Sequence, residues 1–472
     1  MKKRKFINFF LIFTIILFNI PSTLYGAEPT LELNAETAIL MDASTGRILY
    51  SKEMNKQMYP ASMTKILTAL VMLDYIGLEE EIKIGYEINE ISLDSSRAGH
   101  EVGEVITGEN LLRGLIIPSG NETANVVALN VALRETNKTY LDYDKAEEIF
   151  MEIMNEKARS LGAVNSNFVT PHGYHDPNHY STAYDMALIT QEALKYDILK
   201  EIAMEVEYTG LSAGDNYQGT GINVEHTWIS HNELIKDGTY YYPYATGLKT
   251  GFTSQAGNCL SATATKNDVE LIAILFNNEN EAFRWADGRN LFEYGFNNFT
   301  YYDVLTKDEP FLTAAVNGMM LDKEPIVAVA PMENFKALLS EDQYNNLIYK
   351  VNYLPEFLST EVTEKGEPIL LAPLTKGEVL GTITYTLNGE EIYTGNLVSG
   401  TDVLKRTLKS DFSYYFNIVK DFVFSWVFIP VLISTIAIIS FIVNNIKRYK
   451  KRKRRNFGSK KKYKKGGFKT KY

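Results

Sequence analysis

Across 472 residues the chain carries 48 basic and 58 acidic side chains and one cysteine. Four cations open the chain and fifteen follow Asn444, so residues 28–421 hold 29 basic residues against all 58 acids, a charge of about −29. That surface repels a polyanion and excludes nucleic-acid binding by this part. A single cysteine excludes an internal disulfide framework, and the length calls for two globular units with appendages.

Residues 1–27, MKKRKFINFFLIFTIILFNIPSTLYGA, have a basic start, an apolar run from Phe6 to Ile20 and small residues at Gly26 and Ala27. This is the layout of a secretory signal peptide. Next, Thr37–Met41 and Arg47–Ser51 flank DASTG as a β-hairpin. Helical periodicity follows in YPASMTKILTALVMLDYIG (59–77), Asn110–Ile117, Thr123–Ala132 and Tyr143–Ser160. Tyr244–Thr253, Asn258–Thr265 and Glu270–Phe276 read as consecutive strands. Strands at both ends with helices between predict one α/β (α+β) layered domain over 34–299. From 300 to 404 the texture becomes short β-type runs such as PIVAVA and EVLGTITYTL, a small all-β domain. Residues 405–421 read as a linker. Phe422–Val443 is uncharged and long enough to cross a bilayer, with Pro430 expected to kink it. The tail, 444–472, has fifteen cations and no acid, which predicts a cytoplasmic tail beside anionic lipid and places everything before Phe422 on the outer side.

Within the layered domain, Ser62 and Lys65 stand three residues apart at the mouth of an apolar helix. Serine is a poor nucleophile until a base takes its proton, and lysine is such a base only when burial or a nearby cation lowers its pKa. Residues i and i+3 share a helical face, and the helix that follows is apolar nearly all round, hence buried. Ser119-Gly120-Asn121 lies between two helical patterns, where a turn aims a hydroxyl and an amide into a cleft. Lys249-Thr250-Gly251 lies on a predicted strand. There a second cation serves to keep Lys65 deprotonated and to bind a carboxylate, and the glycine admits close approach of a substrate backbone. S-x-x-K, S-x-N and K-T-G in that order mark serine acyl-transfer enzymes that recognise penicillin. A lone S-x-N also occurs at Ser230-His231-Asn232, so the triple carries the argument.

The stretches AILMDASTGRILYSKEMNKQMYPASMTKILTALV, LLRGLIIPSGNETANVVAL, NFVTPHGYHDPNHYSTAYDMA and TGLKTGFTSQAGNCLSATA resemble the low-molecular-mass penicillin-binding proteins that act as serine-type D-alanyl-D-alanine carboxypeptidases. The likeness covers roughly 35–299 and extends to the β domain and the membrane attachment. It departs at Glu122, where Asp is usual, and in the full spanning segment, where many relatives have an amphipathic helix. The resemblance implies a penicillin-binding-protein-like transpeptidase fold and no cofactor or metal. It implies Ser62 as nucleophile, Lys65 as base, Ser119 as proton relay and Asn121 as holder of the substrate amide. Lys249 and Thr250 would bind the terminal carboxylate, beside Gly251, and the backbone N–H groups of Ser62 and Phe252 would form the oxyanion hole. The substrate would be the peptidoglycan stem peptide ending in D-Ala-D-Ala, with β-lactams as covalent inhibitors.

Other patterns compete. Gly210-Leu211-Ser212-Ala213-Gly214 matches a nucleophile elbow, but DNYQGTG follows where that motif needs a helix. His172, His175 and His179 invite a zinc reading, yet Gly173 and Pro177 break the helix that would align them. Cys259 sits in a strand pattern and reads as core packing. A serine β-lactamase shares the three motifs, but the chain lacks an E-x-x-L-N between Ser119 and Lys249. A non-catalytic wall-binding protein is opposed by the intact Ser62, Lys65, Ser119 and Lys249.

Overall fold

The structure, a computed structural model, describes residues 31–460. The expected signal peptide and residues 461–472 of the tail lie outside the described residues. The chain divides into two compact units. The first comprises the described residues up to Tyr301 with Leu338–Glu341, the second Tyr302–Ala337 and the described residues from Asp342 onward.

In chain order the first unit contains β1 (Thr37–Asp42), β2 (Ile48–Lys52), a 3-10 turn (Ala61–Thr64) running into α1 (Lys65–Tyr75), β3 (Glu81–Lys83), β4 (Val105–Thr107), α2 (Gly108–Ile116), α3 (Asn121–Thr136) and α4 (Tyr143–Ser160). Then come α5 (Ala183–Ala193), α6 (Asp197–Met204), the hairpin β5 (Glu207–Leu211) and β6 (Glu225–Ile229), β7 (Ala245–Thr253), β8 (Gly257–Lys266), β9 (Val269–Asn278) and α7 (Glu281–Asn298). The main sheet has the order β2-β1-β9-β8-β7, all pairs antiparallel. The first hairpin of this unit therefore meets the unit's last strands, β7 to β9, in one sheet, and β7 is an outer edge.

Side chains on a strand alternate between faces, and here both faces are buried. Ile39 and Met41 of β1 and Ile272, Ile274 and Phe276 of β9 join one apolar core with helix α1. Ala38 and Leu40 of β1 and Leu271, Ala273 and Leu275 of β9 join a second core with Trp285, Leu291 and Phe292 of α7. Burial on two sides explains why β9 reads as the unbroken run LIAILF rather than an alternation. Helix α1 lies inside the first core, with every residue from Lys65 to Met72 buried. A leucine such as Leu67, wholly enclosed there, stabilises the fold by about 1.5–3 kcal/mol.

The second unit opens with β10 (Thr300–Leu305), β11 (Leu312–Asn317), β12 (Ile326–Pro331), β13 (Phe335–Leu339) and the short α8 (Glu341–Asn345). There follow β14 (Ile348–Tyr353), β15 (Leu358–Val362), β16 (Pro368–Leu371), β17 (Val379–Leu387) and β18 (Glu390–Ser399). Seven strands form a sheet in the order β14-β17-β18-β12-β11-β16-β15.

Two expectations change at the end of the chain. Part of the expected linker is helical: α9 (Leu408–Val423) starts with a capping box in which Thr407 and Ser410 serve each other's backbone N–H. Its Leu408, Phe412, Tyr415, Phe416, Val419, Phe422 and Val423 fall on one stripe at helical spacing. The expected single span from Phe422 is interrupted: α9 ends at Val423, and α10 (Phe428–Lys460) begins after a turn. The Phe428 N–H donates to Ser425 Oγ at 3.3 Å, and Pro430 falls in the first helical turn. A proline there lacks only an N–H that has no helical acceptor, so Pro430 starts this helix rather than kinking it. The stretch Phe428–Arg454 is long and apolar enough to cross a membrane, with none of its most apolar window buried.

Candidate active site

Ser62 sits in the 3-10 turn and Lys65 opens α1. In a 3-10 turn residues i and i+3 eclipse, which brings the Lys65 Nζ within 3.0 Å of Ser62 Oγ. Two further acceptors lie within reach of the same nitrogen, Asn121 Oδ1 at 2.7 Å and the His172 carbonyl oxygen at 2.9 Å. Lys65 is wholly buried. Burial first and the charge of Lys249 second hold its pKa far below the ordinary lysine range, against the pull of Glu122.

The turn that carries Ser62 is braced from two sides. Ala61 adopts φ +48° and Gly173 φ +81°, and a Cβ on Gly173 would fall 1.9 Å from the Ala61 carbonyl oxygen. On the other side a Cβ on Gly251 would lie 2.8 Å from the Pro60 carbonyl oxygen and 3.3 Å from Ser62 N. Gly251 therefore lets β7 pack against the backbone of Ser62, a contact within the protein that its sequence pattern does not reveal.

Two histidines of PHGYHDPNHY, His172 and His179, belong to this brace. His179 Nδ1 accepts from the Val169 and Thr170 N–H groups, so its Nε2 carries the proton and donates to Thr64 Oγ1 at 2.8 Å. Burial brings its pKa to about 3, and the ring is neutral. His172 is likewise held neutral by burial and by Lys65. Thr68 Oγ1 donates to the Pro171 carbonyl at 2.5 Å, and the segment lies over Lys65 as backbone.

Ser119 precedes α3 with φ +63°, and its buried Oγ has no hydrogen-bond partner within the protein. Asn121, the first residue of α3, donates from Nδ2 to Ser95 Oγ at 3.0 Å while its Oδ1 meets Lys65. Glu122 acts as a structural acceptor, its Oε1 taking the Ala98 and Gly99 N–H groups at 2.6 and 2.8 Å. On β7, Lys249, Thr250, Gly251 and Phe252 face Ser261, Leu260, Cys259 and Asn258 of β8. Lys249 is 2% exposed, and burial followed by the charge of Arg284 lowers its pKa to about 7.

Ser62, Ser119, Thr250, Gly251 and Phe252 line one cleft of about 540 Å³, with Lys65, Asn121 and Lys249 buried beside it. Arg284 of α7 lines the same cleft and has no counterpart among the residues singled out from the sequence. It points Nη1 at the Gly251 carbonyl (3.4 Å), pairs with Glu281 (2.8 Å) and lies over the Trp285 ring at 4.2 Å. Arg284, the first of two arginines in FRWADGRN, carries no motif; only its helical phase, one position before a core tryptophan, hints at burial.

The competing serine is structural. Ser212 is wholly buried, donates to Asn223 Oδ1 and accepts from the Val224 N–H, both at 3.0 Å. Cys259 is enclosed, and burial pushes its thiol up to about 12.

Comparison with known proteins gives the family. Residues 24–280 match the D-alanyl-D-alanine carboxypeptidase family, and 299–405 match the C-terminal domain of penicillin-binding protein 5. The D-alanyl-D-alanine carboxypeptidase DacF of Bacillus subtilis is 27% identical over 79% of this chain and 86% of that protein. DacC of Escherichia coli is 29% identical over 80% and 86%. The crystal structure of penicillin-binding protein 5 from Haemophilus influenzae superposes with a TM-score of 0.56 at 27% identity, covering 79% of this chain and 98% of that one. The family match takes in Ser62, Lys65, the Ser119 turn and the Lys249 strand together with more than half of the residues, and the chain belongs to the D-alanyl-D-alanine carboxypeptidases, the low-molecular-mass penicillin-binding proteins.

Proposed function

We propose that Ser62 is the acylated nucleophile of this serine carboxypeptidase and Lys65 the base that takes its proton. The observation that carries the reading is the enclosed Lys65 Nζ, 3.0 Å from Ser62 Oγ. An ammonium has three donors, whereas a neutral amine has two and a lone pair. With its two N–H bonds directed to Asn121 Oδ1 and the His172 carbonyl, the neutral amine turns its lone pair to the Ser62 hydroxyl.

The substrate is a peptidoglycan stem peptide ending in D-Ala-D-Ala. It lies along the open edge of β7 as an added strand, its carboxylate at Lys249, Thr250 and the additional cation Arg284. Ser62 Oγ attacks the carbonyl of the penultimate D-alanine, and the backbone N–H groups of Ser62 and Phe252 receive the oxyanion. As the peptide C–N bond breaks, the proton passes from Lys65 through the Ser119 hydroxyl to the departing amine. Water then cleaves the ester by the same base. A β-lactam acylates Ser62 likewise and stays. Ser62→Ala is expected to abolish both labelling by a tagged penicillin and D-alanine release; labelling retained at Ser212 or elsewhere would refute the assignment.

The division of labour follows the chain: 34–299 trims peptide, 300–404 spaces it, α9 lies along the bilayer surface and α10 crosses it. The fifteen cations after Asn444 hold the tail inside and the catalytic domain faces the wall. Protease added to intact cells should digest the Ser62 domain and spare an epitope placed after Tyr472; protection of that domain would reverse the orientation.

A further inference from the structure

Three side chains with no part in the reaction above meet in the first unit: His100 and Glu104, on the loop leading into β4, and His226 on β6. All three are buried, their side chains 0%, 0% and 5% exposed. His226 Nε2 lies 2.7 Å from Glu104 Oε1, and His100 Nδ1 lies 3.3 Å from both Glu104 oxygens. The candidate ligand atoms are all within 4.8 Å of one another, and among the described residues they are the one such group of histidine, cysteine and acidic side chains.

We propose that His100, Glu104 and His226 form a structural site for a divalent d-block cation, zinc before others, that fixes one wall of the catalytic cleft.

The donor set is two imidazole nitrogens and a carboxylate that offers one or two oxygens, which suits zinc better than calcium or magnesium. Tetrahedral ligands at about 2.0–2.1 Å from zinc stand about 3.3 Å apart. The His100–Glu104 separations already match, the His226–Glu104 pair must open by less than about 1 Å, and the two histidine nitrogens, within 4.8 Å of each other, must close by up to about 1.5 Å. Surrounding partners suit a metal as well. His100 Nε2 lies 3.0 Å from Thr123 Oγ1, the partner expected of a ring metallated at Nδ1. The Glu101 N–H donates to Glu104 Oε2 at 2.9 Å. The His226 ring stacks on Trp228, with centroids 4.8 Å apart. Gly114 of α2 leaves room: a Cβ there would sit 3.1 Å from His100 Nε2.

Position gives the site its consequence. Just before His100, the Ala98 and Gly99 N–H groups donate to Glu122, and the Ala98 carbonyl accepts from Trp228 Nε1 at 2.7 Å. The Ser96 carbonyl accepts from the Asn121 N–H at 2.9 Å, and Ser95 and Ser96 line the cleft. A cation held between the 98–104 loop and β6 thus clamps the loop against the start of α3, where Asn121 meets Lys65. His100, Glu104 and His226 are positioning residues, and no step of the reaction passes through the ion. Their burial makes loading and loss slow.

The test uses the full chain in detergent, stripped with a chelator and then given zinc. About one zinc per chain is expected to survive desalting, with a Tm rise of about 5 °C at a hundredfold excess over Kd. His226→Gln and His100→Gln should each weaken retention at least tenfold, and the stripped chain should show a raised KM that zinc reverses. Cobalt in place of zinc should give the intense visible bands of a four-coordinate site. No zinc retained by the unsubstituted chain, or retention by both variants as strong as that of the unsubstituted chain while they still bind penicillin, overturns the proposal. Should both variants fail to fold, the cobalt spectrum of the unsubstituted chain decides: intense bands uphold the site, and weak six-coordinate bands overturn it.

Discussion

The two units treat polar groups differently. In the first, the buried set includes Lys65, Lys249, Arg284, Glu104, Glu122, Asp185 and Asp287; among the described residues of the second, Ser399 is the one buried polar side chain. The second unit's strands instead send polar side chains outward, as in the exposed Thr384–Thr394 pair at 2.7 Å across β17 and β18. Enclosing an ionisable group costs several kcal/mol unless it is paired or neutralised. Lys65, Lys249 and Arg284 are enclosed at the cleft, while Asp185 and Asp287 are enclosed elsewhere in the same unit as acceptors for Asn165 and Ala35 N–H groups, and no charged group is enclosed among the described residues of the second unit. The lesson concerns pKa: groups ordinarily ionised in water become usable as bases only inside the two-sided core.

Exchanging the two cleft lysines gives the largest effect by which that comparison can be broken. Lys65→Arg keeps a charge but removes a titratable base, so acylation by penicillin should fall by several orders of magnitude, on the order of 10³ or more. Lys249→Arg keeps a cation for a carboxylate and should lose far less, chiefly in KM. Equal losses in acylation-rate measurements would dissolve the distinction.

A smaller, pH-dependent effect sharpens the role of burial. Burial and Arg284 lower the Lys249 pKa to about 7; if this cation draws the substrate carboxylate as proposed, KM should rise with pH above that value, by up to about tenfold per unit. Arg284→Gln removes one cause of the depression. KM should be worse at pH 6, but its alkaline rise should begin later. A steady-state profile with an unmoved break would deny Arg284 this influence. Stability follows the same sign. Between pH 7 and about 10 the unfolded chain holds a proton that folded Lys249 does not, so this group's contribution rises with pH across the window.

The second unit supplies the smallest expected effect on catalysis. Leu380 of β17 is wholly buried, and Leu380→Ala should destabilise by about 2–5 kcal/mol. The loss should appear as a lowered calorimetric transition, with kcat unchanged below it. A fall in kcat at temperatures where the chain remains folded would show that the second sheet shapes the cleft.

Legibility in the sequence follows the same division. Helix α4 coincides with the periodic stretch Tyr143–Ser160, because an amphipathic surface helix writes its period openly. Strands β7 to β9 were readable within a residue or two as apolar runs between turns. The placement of Ser62, Lys65, Ser119, Asn121 and the Lys249 strand around one cleft followed from motifs that carry meaning only together. Arg284 and the His100–Glu104–His226 cluster were invisible, since 122 residues separate Glu104 from His226 and only folding joins them. Helix α9 reads as a linker because Lys409, Asp411, Lys420 and Asp421 on its wet face mask the apolar stripe.

Strand β7 closes the main sheet on one side, and an unfilled edge can hold an extended ligand by main-chain hydrogen bonds, with side-chain pockets adding specificity. Were a stem peptide to dock there as proposed above, its main chain would carry the hydrogen bonds to the strand, and a change of side chain at its third residue would leave those bonds in place. The same geometry would admit a rigid small molecule that imitates two terminal residues of backbone.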